Sequence, residues 1–345
     1  MIDGQALSIG SGYGTDANGL ICGYLFAGTS AARPIGSQEA LAWLRQEHSP
    51  ESDAFIWLHV SLAHAGAEAW LRASGIVPMA YFDAMHEGSH STRIERDGDT
   101  LFAVVNDVTF DFAFEASDVS TLWMSLCEKV VVTARARPLR AVDRLRRAVK
   151  NGEALSSPVA LLDHLLCDQA DELQSIVRAA TERVDDIEDE MLGREVRTDS
   201  AELTRLRRLT TRLQRLLAPE PNALMRTLGN PPQWVTAADT LKLRRTSDEF
   251  SAVLRDISAI QERTKLLQDE SAAQVAKENN RSLFILTMVT VLALPINLVS
   301  GLLGMNVGGL PLAQHPQGFW WVVSIIAFLT LALGAYVVQR LAPRG

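Results

Sequence analysis

One stretch of this sequence carries residues at the spacing of a catalytic zinc site. His86-Glu87-Gly88-Ser89-His90 matches H-E-x-x-H, in which two histidines on one helical face bind zinc and the glutamate activates a water. That chemistry needs a stable helix, yet Gly88 and Ser89 are poor helix formers and Ser91-Thr92 lead into a strand-like pattern from Arg93. No H-x-x-G-x-x-H follows, the next histidine is His164, and a third ligand such as Glu115 falls in a strand pattern. An ordinary helix end is therefore favoured, and a membrane-bound zinc metalloprotease is the alternative. His59 and His64 straddle a strand end and form no ligand pair. Gly10, Gly12 and Gly14 lack the Lys-Ser/Thr of a phosphate loop. Cys22, Cys127 and Cys167 lie too far apart for a thiolate zinc site or a disulfide framework, and reduced, buried thiols are expected.

A second group of residues points to ion handling without catalysis. Near the C-terminus, steps of seven connect Asn297, Thr290, Leu283, Ala276, Asp269 and Glu262, and an interleaved series holds Leu294, Thr287, Asn280, Ala273 and Leu266. Together they form one seam if the helices supercoil. An unpaired amide or hydroxyl facing hydrocarbon is costly, so Asn297, Thr290 and Thr287 are expected to face another helix or water. Around a symmetry axis the seam would alternate polar rings with apolar constrictions at Leu294 and Leu283, with Asp269 and Glu262 forming acidic rings below them. Just beyond stand Gly304, which lets the backbone leave the helix, Met305, and Asn306, whose amide oxygen can hold the water shell of a cation. His315, the next histidine, could bind zinc or change charge near neutral pH.

The elements that must position these residues divide by charge. The chain has 345 residues, 47% apolar and 21% charged, with a formal net charge of −8. No Asp, Glu, Lys or Arg occurs in residues 282–339, and only Arg340 and Arg344 follow. Two membrane spans, 283–303 and 319–338, joined by an outer loop 304–318, account for a run that no water-exposed segment would tolerate. Lys277 and Arg281 before the first span and the basic tail 339–345 after the second place both termini in the cytoplasm, with Phe319, Trp320 and Trp321 at the outer interface. The residues before 282 hold 31 Lys+Arg against 41 Asp+Glu, an acidic body that suits cations and argues against a nucleic-acid partner.

Within that body, residues 1–20 are expected as a flexible arm, since 11–19 are Gly-rich and polar and no cleavable signal precedes them. Residues 21–136 alternate short β-branched and aromatic runs (ICGYLF, FIWLHV, TLFAVV, VTFDFAF, TLWMSL, KVVVTA) with helical patterns, an α/β domain. A helical region follows over 137–232, with helices expected at 140–150, 158–193 and 200–217 and a proline-rich connection at 218–232. From Gln233 to Pro295 there is neither proline nor glycine, so a stalk helix over 233–282 is expected to run on into the first span.

The Gly304-Met305-Asn306 tripeptide at the outer end of the first of two C-terminal spans resembles the signature of the CorA superfamily of divalent-cation transporters, and the whole order of parts is similar. The continuation Val307-Gly308-Gly309-Leu310-Pro311 looks more like its ZntB branch of zinc transporters than the magnesium branch, because the loop contains no acid. What the resemblance implies is a mixed α/β fold in a funnel-shaped homopentamer in the cell inner membrane, first spans lining the pore. It also implies Gly304, Met305 and Asn306 as the selectivity filter and Asn297 as a second polar ring. The protein is then no enzyme and needs no cofactor; Zn2+ is cargo, with Mg2+, Co2+ or Ni2+ as the alternative ions. A neutral filter neither requires nor excludes coupling to protons.

Overall fold

The computed structural model describes residues 14–28, 30–46, 53–86, 92–192, 200–305 and 315–341. Expectations for the arm before residue 14, for Glu87 and His90, for Asn306 with the rest of 306–314, and for 342–345 lie outside the described residues. The chain divides into two units, Met1–Gln268 and Asp269–Gly345.

The first unit is built on a seven-stranded sheet, in the order β2-β1-β3-β7-β6-β5-β4. Its strands are β1 (Leu20–Phe26), β2 (Arg33–Pro34), β3 (Phe55–Ser61), β4 (Arg93–Asp97), β5 (Thr100–Val108), β6 (Val119–Leu126) and β7 (Val130–Arg135). Only β3 and β7 pair in parallel; the other neighbours are antiparallel. Side chains alternate across the sheet as the strand period requires. Ile56, Leu58, Val104, Val132 and Ala134 meet the short helices α1 (Ser37–Leu44), α2 (Ala67–Ser74) and α3 (Met79–His86) on one face. Trp57, Ala103, Val105, Leu122, Met124 and Val131 face α4 (Arg140–Lys150), the start of α5 (Pro158–Leu192) and α7 (Pro219–Thr227) on the other. Beyond the sheet, α5 continues against α6 (Ser200–Leu217) and α8 (Ala237–Leu303) around Leu173, Val184, Leu206, Leu213 and Ile257.

Three expectations are corrected. Of the run 108–114 only Val108 belongs to a strand: β5 ends there, Thr109 makes an isolated bridge to Leu139, and Phe114 turns the chain with φ at 61°. Its aromatic rings instead sit under arginines, with the Arg183 guanidinium 3.9 Å from the Phe114 ring centre, so hydrophobicity there serves loop packing. Glu115 consequently lies in a turn rather than a strand, with its amide donating to Asp118 Oδ2 at 3.2 Å. The expected connection at 218–232 holds α7, because Pro219 and Pro221 occupy the first turn, where the missing N–H groups have no intrahelical partner to lose. The three thiols are free and half-buried rather than fully buried; desolvation still pushes Cys22 up to about 12.

In the second unit α8 continues to Leu303 with Pro295 inside it, and α9 spans Gly318–Leu341. Both helices are long and apolar enough to cross a membrane.

Candidate functional site

The spans have two faces each, and exposure distinguishes them. On α8, Phe284, Met288, Val291, Leu292, Pro295 and Val299 are half-buried, a stripe at helical spacing; on α9 the matching stripe is Val322, Ile326, Thr330 and Leu333. These stripes meet where Leu292 approaches Gly334, whose added Cβ would lie 3.5 Å from the leucine methyl. At about 100° per residue, Leu283, Thr287, Thr290, Leu294 and Asn297 fall on the side of α8 turned away from α9, and all five are exposed. Asn280, Asp269 and Glu262, earlier on the same helix, are exposed as well, and neither acid is ion-paired among the described residues.

The physical premise for that seam needs one revision. Thr287 Oγ1 donates to Leu283 O at 2.8 Å and Thr290 Oγ1 to Leu286 O at 2.9 Å, so both hydroxyl protons are satisfied within their own helix. The need for an outside partner therefore rests on Asn297, whose amide has no partner among the described residues. Gly304 leaves α8 with its N–H donating to Ser300 O at 3.0 Å, and Met305 is exposed. A Cβ at 304 would stand 3.1 Å from that same carbonyl, a tight approach that glycine avoids. His315 opens α9: its Nδ1 accepts from Gln317 N–H at 3.2 Å and its carbonyl from Gly318 N–H at 2.9 Å.

His59, His86 and His164 of the first unit are absorbed by structure. His86 ends α3 with Nδ1 donating to Phe82 O at 2.7 Å and Nε2 lying 3.4 Å from the Glu68 carboxylate. His59 is buried between Thr133 Oγ1 at 2.8 Å and Arg135 Nε at 2.9 Å, and burial with the nearby guanidinium lowers its pKa well below 6.5. His164 bridges Asp168 and Glu153, each at 3.1 Å, and the hydrogen bond to Asp168 raises it to about 9. Among the described residues no three His, Cys, Asp or Glu side chains converge as metal ligands.

An α/β body followed in the chain by two apolar helices is an arrangement that known proteins share. The family model described as "CorA-like Mg2+ transporter protein" matches residues 52–340. The chain belongs to the CorA family. The divalent cation transporter CmaX of Pseudomonas aeruginosa is 29% identical over 90% of this chain and 93% of its own length. The zinc transport protein ZntB of Pectobacterium carotovorum is 22% identical over 90% of this chain and 92% of its own. The structure of full-length CmaX superposes with a TM-score of 0.78 at 26% identity, covering 96% of this chain and all of that one. The CorA magnesium transporter of Methanocaldococcus jannaschii shares the fold at 18% identity, with a TM-score of 0.73 over 92% of this chain and 97% of its own. Membership of the CorA family makes the chain a membrane transporter and not an enzyme, so the metalloprotease alternative falls.

Proposed function

We propose that this CorA-family chain carries divalent cations through a membrane pore lined by α8, with zinc as the principal ion. The observation that carries the reading is the exposed seam on α8 turned away from α9. Asn297 there has no partner among the described residues, and a bare amide in hydrocarbon costs several kcal/mol. Copies of α8 arranged about an axis would supply water and facing amides in place of lipid, whereas two spans per chain cannot enclose a passage alone. A ring of five copies follows the family resemblance, with α9 outermost.

In this reading Gly304, Met305 and Asn306 form the outer filter. Asn297, Leu294, Thr290, Thr287, Leu283 and Asn280 line the path, Asp269 and Glu262 gather cations at its cytoplasmic end, and His315 stands at the mouth. The amides orient the first water shell of the ion rather than stripping it, which needs no charge on the filter. Both termini lie in the cytoplasm and the membrane is the cell inner membrane. Zinc is favoured by the acid-free loop and by the ZntB relatives; Mg2+, Co2+ and Ni2+ are the competing cargo.

The test is ion uptake into liposomes holding the purified full-length protein, with Zn2+ and Mg2+ compared at equal free concentration, with and without an inward proton gradient. Zn2+ uptake exceeding Mg2+ uptake is the expected result. Preference for Mg2+ would overturn the choice of ion, and failure to carry either would overturn the pore.

A further inference from the structure

Helices α5, α6 and α8 pack in a three-helix layer, and their polar bonds fix which side of each faces which neighbour. Arg183 of α5 lies 3.6 Å from Glu202 of α6, and Arg263 of α8 holds Asp185 and Glu188 of α5. Gln214 of α6 donates to Ser258 of α8, and Arg207 to Gln268, both at 2.9 Å. Each helix is left with one outward face, and those of α5 and α6 diverge.

Those two faces carry opposite charge at the same spacing. Outward on α5 stand Glu182, Asp186 and Asp189, at i, i+4 and i+7, all exposed and none ion-paired among the described residues. Outward on α6 stand Arg208, Arg212 and Arg215, again at i, i+4 and i+7, and none of them is ion-paired among the described residues. Arg212 is half-buried, and its Nε–H meets no acceptor. The arginines of α4 behave differently: Arg140, Arg144, Arg146 and Arg147 each have a carboxylate within 3.4 Å. The α6 arginines line an open groove of about 500 Å3. Its remaining walls are Thr204, Thr211, Gln268 and Ala116, so no aromatic or large aliphatic surface is present to hold a base or a ring. A polyanion without an apolar part is what such a groove selects.

We infer that the arginine groove of α6 receives the acidic outer face of α5 from a second copy of the chain. Equal spacing lets charges meet turn after turn along two helices laid side by side, at about 5.4 Å per turn. Because the two faces diverge within one chain, they cannot satisfy each other there. Joining one copy's acidic face to the next copy's groove is a head-to-tail contact, and repetition about an axis closes it into a ring. The inference rests on the homo-oligomer proposed above and names the contact that would hold its cytoplasmic part together.

Cysteine cross-linking in the full-length protein tests it. With Cys22, Cys127 and Cys167 replaced by serine, Asp186→Cys and Arg212→Cys in the same chain should give, on mild oxidation in native membranes, a ladder of covalent multimers. Either cysteine alone should not. Mass in mild detergent is read in parallel. A multimeric mass without the ladder overturns the contact and leaves the assembly standing, whereas a monomeric mass overturns both. Charge reversal gives an independent arm. R208E/R212E/R215E and, separately, E182K/D186K/D189K should each raise the protein concentration needed to hold the multimer about tenfold at low salt, and the two sets combined should restore it. Equal dissociation of all variants overturns the contact. So does inorganic pyrophosphate binding that needs the arginines while no ladder forms, which would assign the groove to a small anion instead.

Discussion

Asn297 and Asn306 are the amides through which the proposed pathway is most exposed to test, and they differ in how the sequence reveals them. Asn306 is found by the tripeptide it closes; Asn297 by a period of seven running back into the charged part of the chain. Replacing Asn306 by alanine should lower zinc uptake about tenfold or more without changing the mass of the assembly, since its proposed role is to orient the water shell of an ion and not to pack a core. Retained uptake and ion preference would place the filter elsewhere. Glu87→Gln should leave zinc uptake within about twofold of the parent, because the proposed path runs along α8 and gives Glu87 no part in conduction. A loss of transport on that change would return the H-E-x-x-H stretch to consideration as a metal site. Spacing was a poor guide at this scale where the backbone could answer for the side chain: Thr287 and Thr290 find their acceptors one turn back, which no periodicity reveals. His59 agrees with the reading that it forms no ligand pair, but the cause lay out of reach of spacing, since its ring nitrogens are taken by residues from a strand paired through space.

At the scale of elements, α7 brings a pH dependence of its own. Its first turn buries Glu220, with Oε2 accepting from Gln169 at 3.4 Å and Oε1 unpartnered among the described residues. Desolvation pushes Glu220 up to about 8, and it pushes Asp107, which accepts from the Ala141 N–H at the start of α4, up to about 7. Both carboxyls hold their protons in the folded unit at pH values where the unfolded chain has already released them. Their contribution to stability is complete below about pH 4 and is lost as the pH rises through about 7 to 8. The melting temperature in mild detergent should therefore fall between pH 6 and pH 9, and Glu220→Gln should narrow the difference by about 3 °C or more. An unchanged difference would show that Glu220 ionises normally in the fold. The same helix marks the limit of legibility among elements. Strands of alternating pattern and the charged helices α4, α5 and α6 could be read from period and caps, as could the continuity of α8 through a stretch without glycine or proline. Helix α7 could not, since its prolines signal a loop unless one knows that they fall in a first turn. Nor could the end of β5, where the aromatic run continues after the pairing stops.

For the whole molecule, the distribution of charge along the chain sets how an ion should arrive. Residues 304–318 contain no Asp or Glu, and every acid of the chain precedes Arg281. A mouth that attracts dications by fixed negative charge loses that attraction as salt screens it over about 10 Å at 0.1 M. The mouth proposed here offers dipoles and His315, so raising external monovalent salt at constant free zinc should alter the initial uptake rate by less than about twofold. A steep fall with salt would mean that acids reach the outer entrance, contrary to the placement of the termini in the cytoplasm. External acidification then separates two ways of using the same neutral path. If His315 takes part in receiving zinc, protonating its imidazole from pH 7.5 to 6 should slow uptake, and His315→Ala should remove the effect. If entry is coupled to protons, the same change should speed uptake, persist in His315→Ala and disappear with a protonophore. An uptake rate indifferent to external pH and to the protonophore would leave the ion's own gradient as the driving force, and the ring would then be a channel whose selectivity resides in uncharged groups alone.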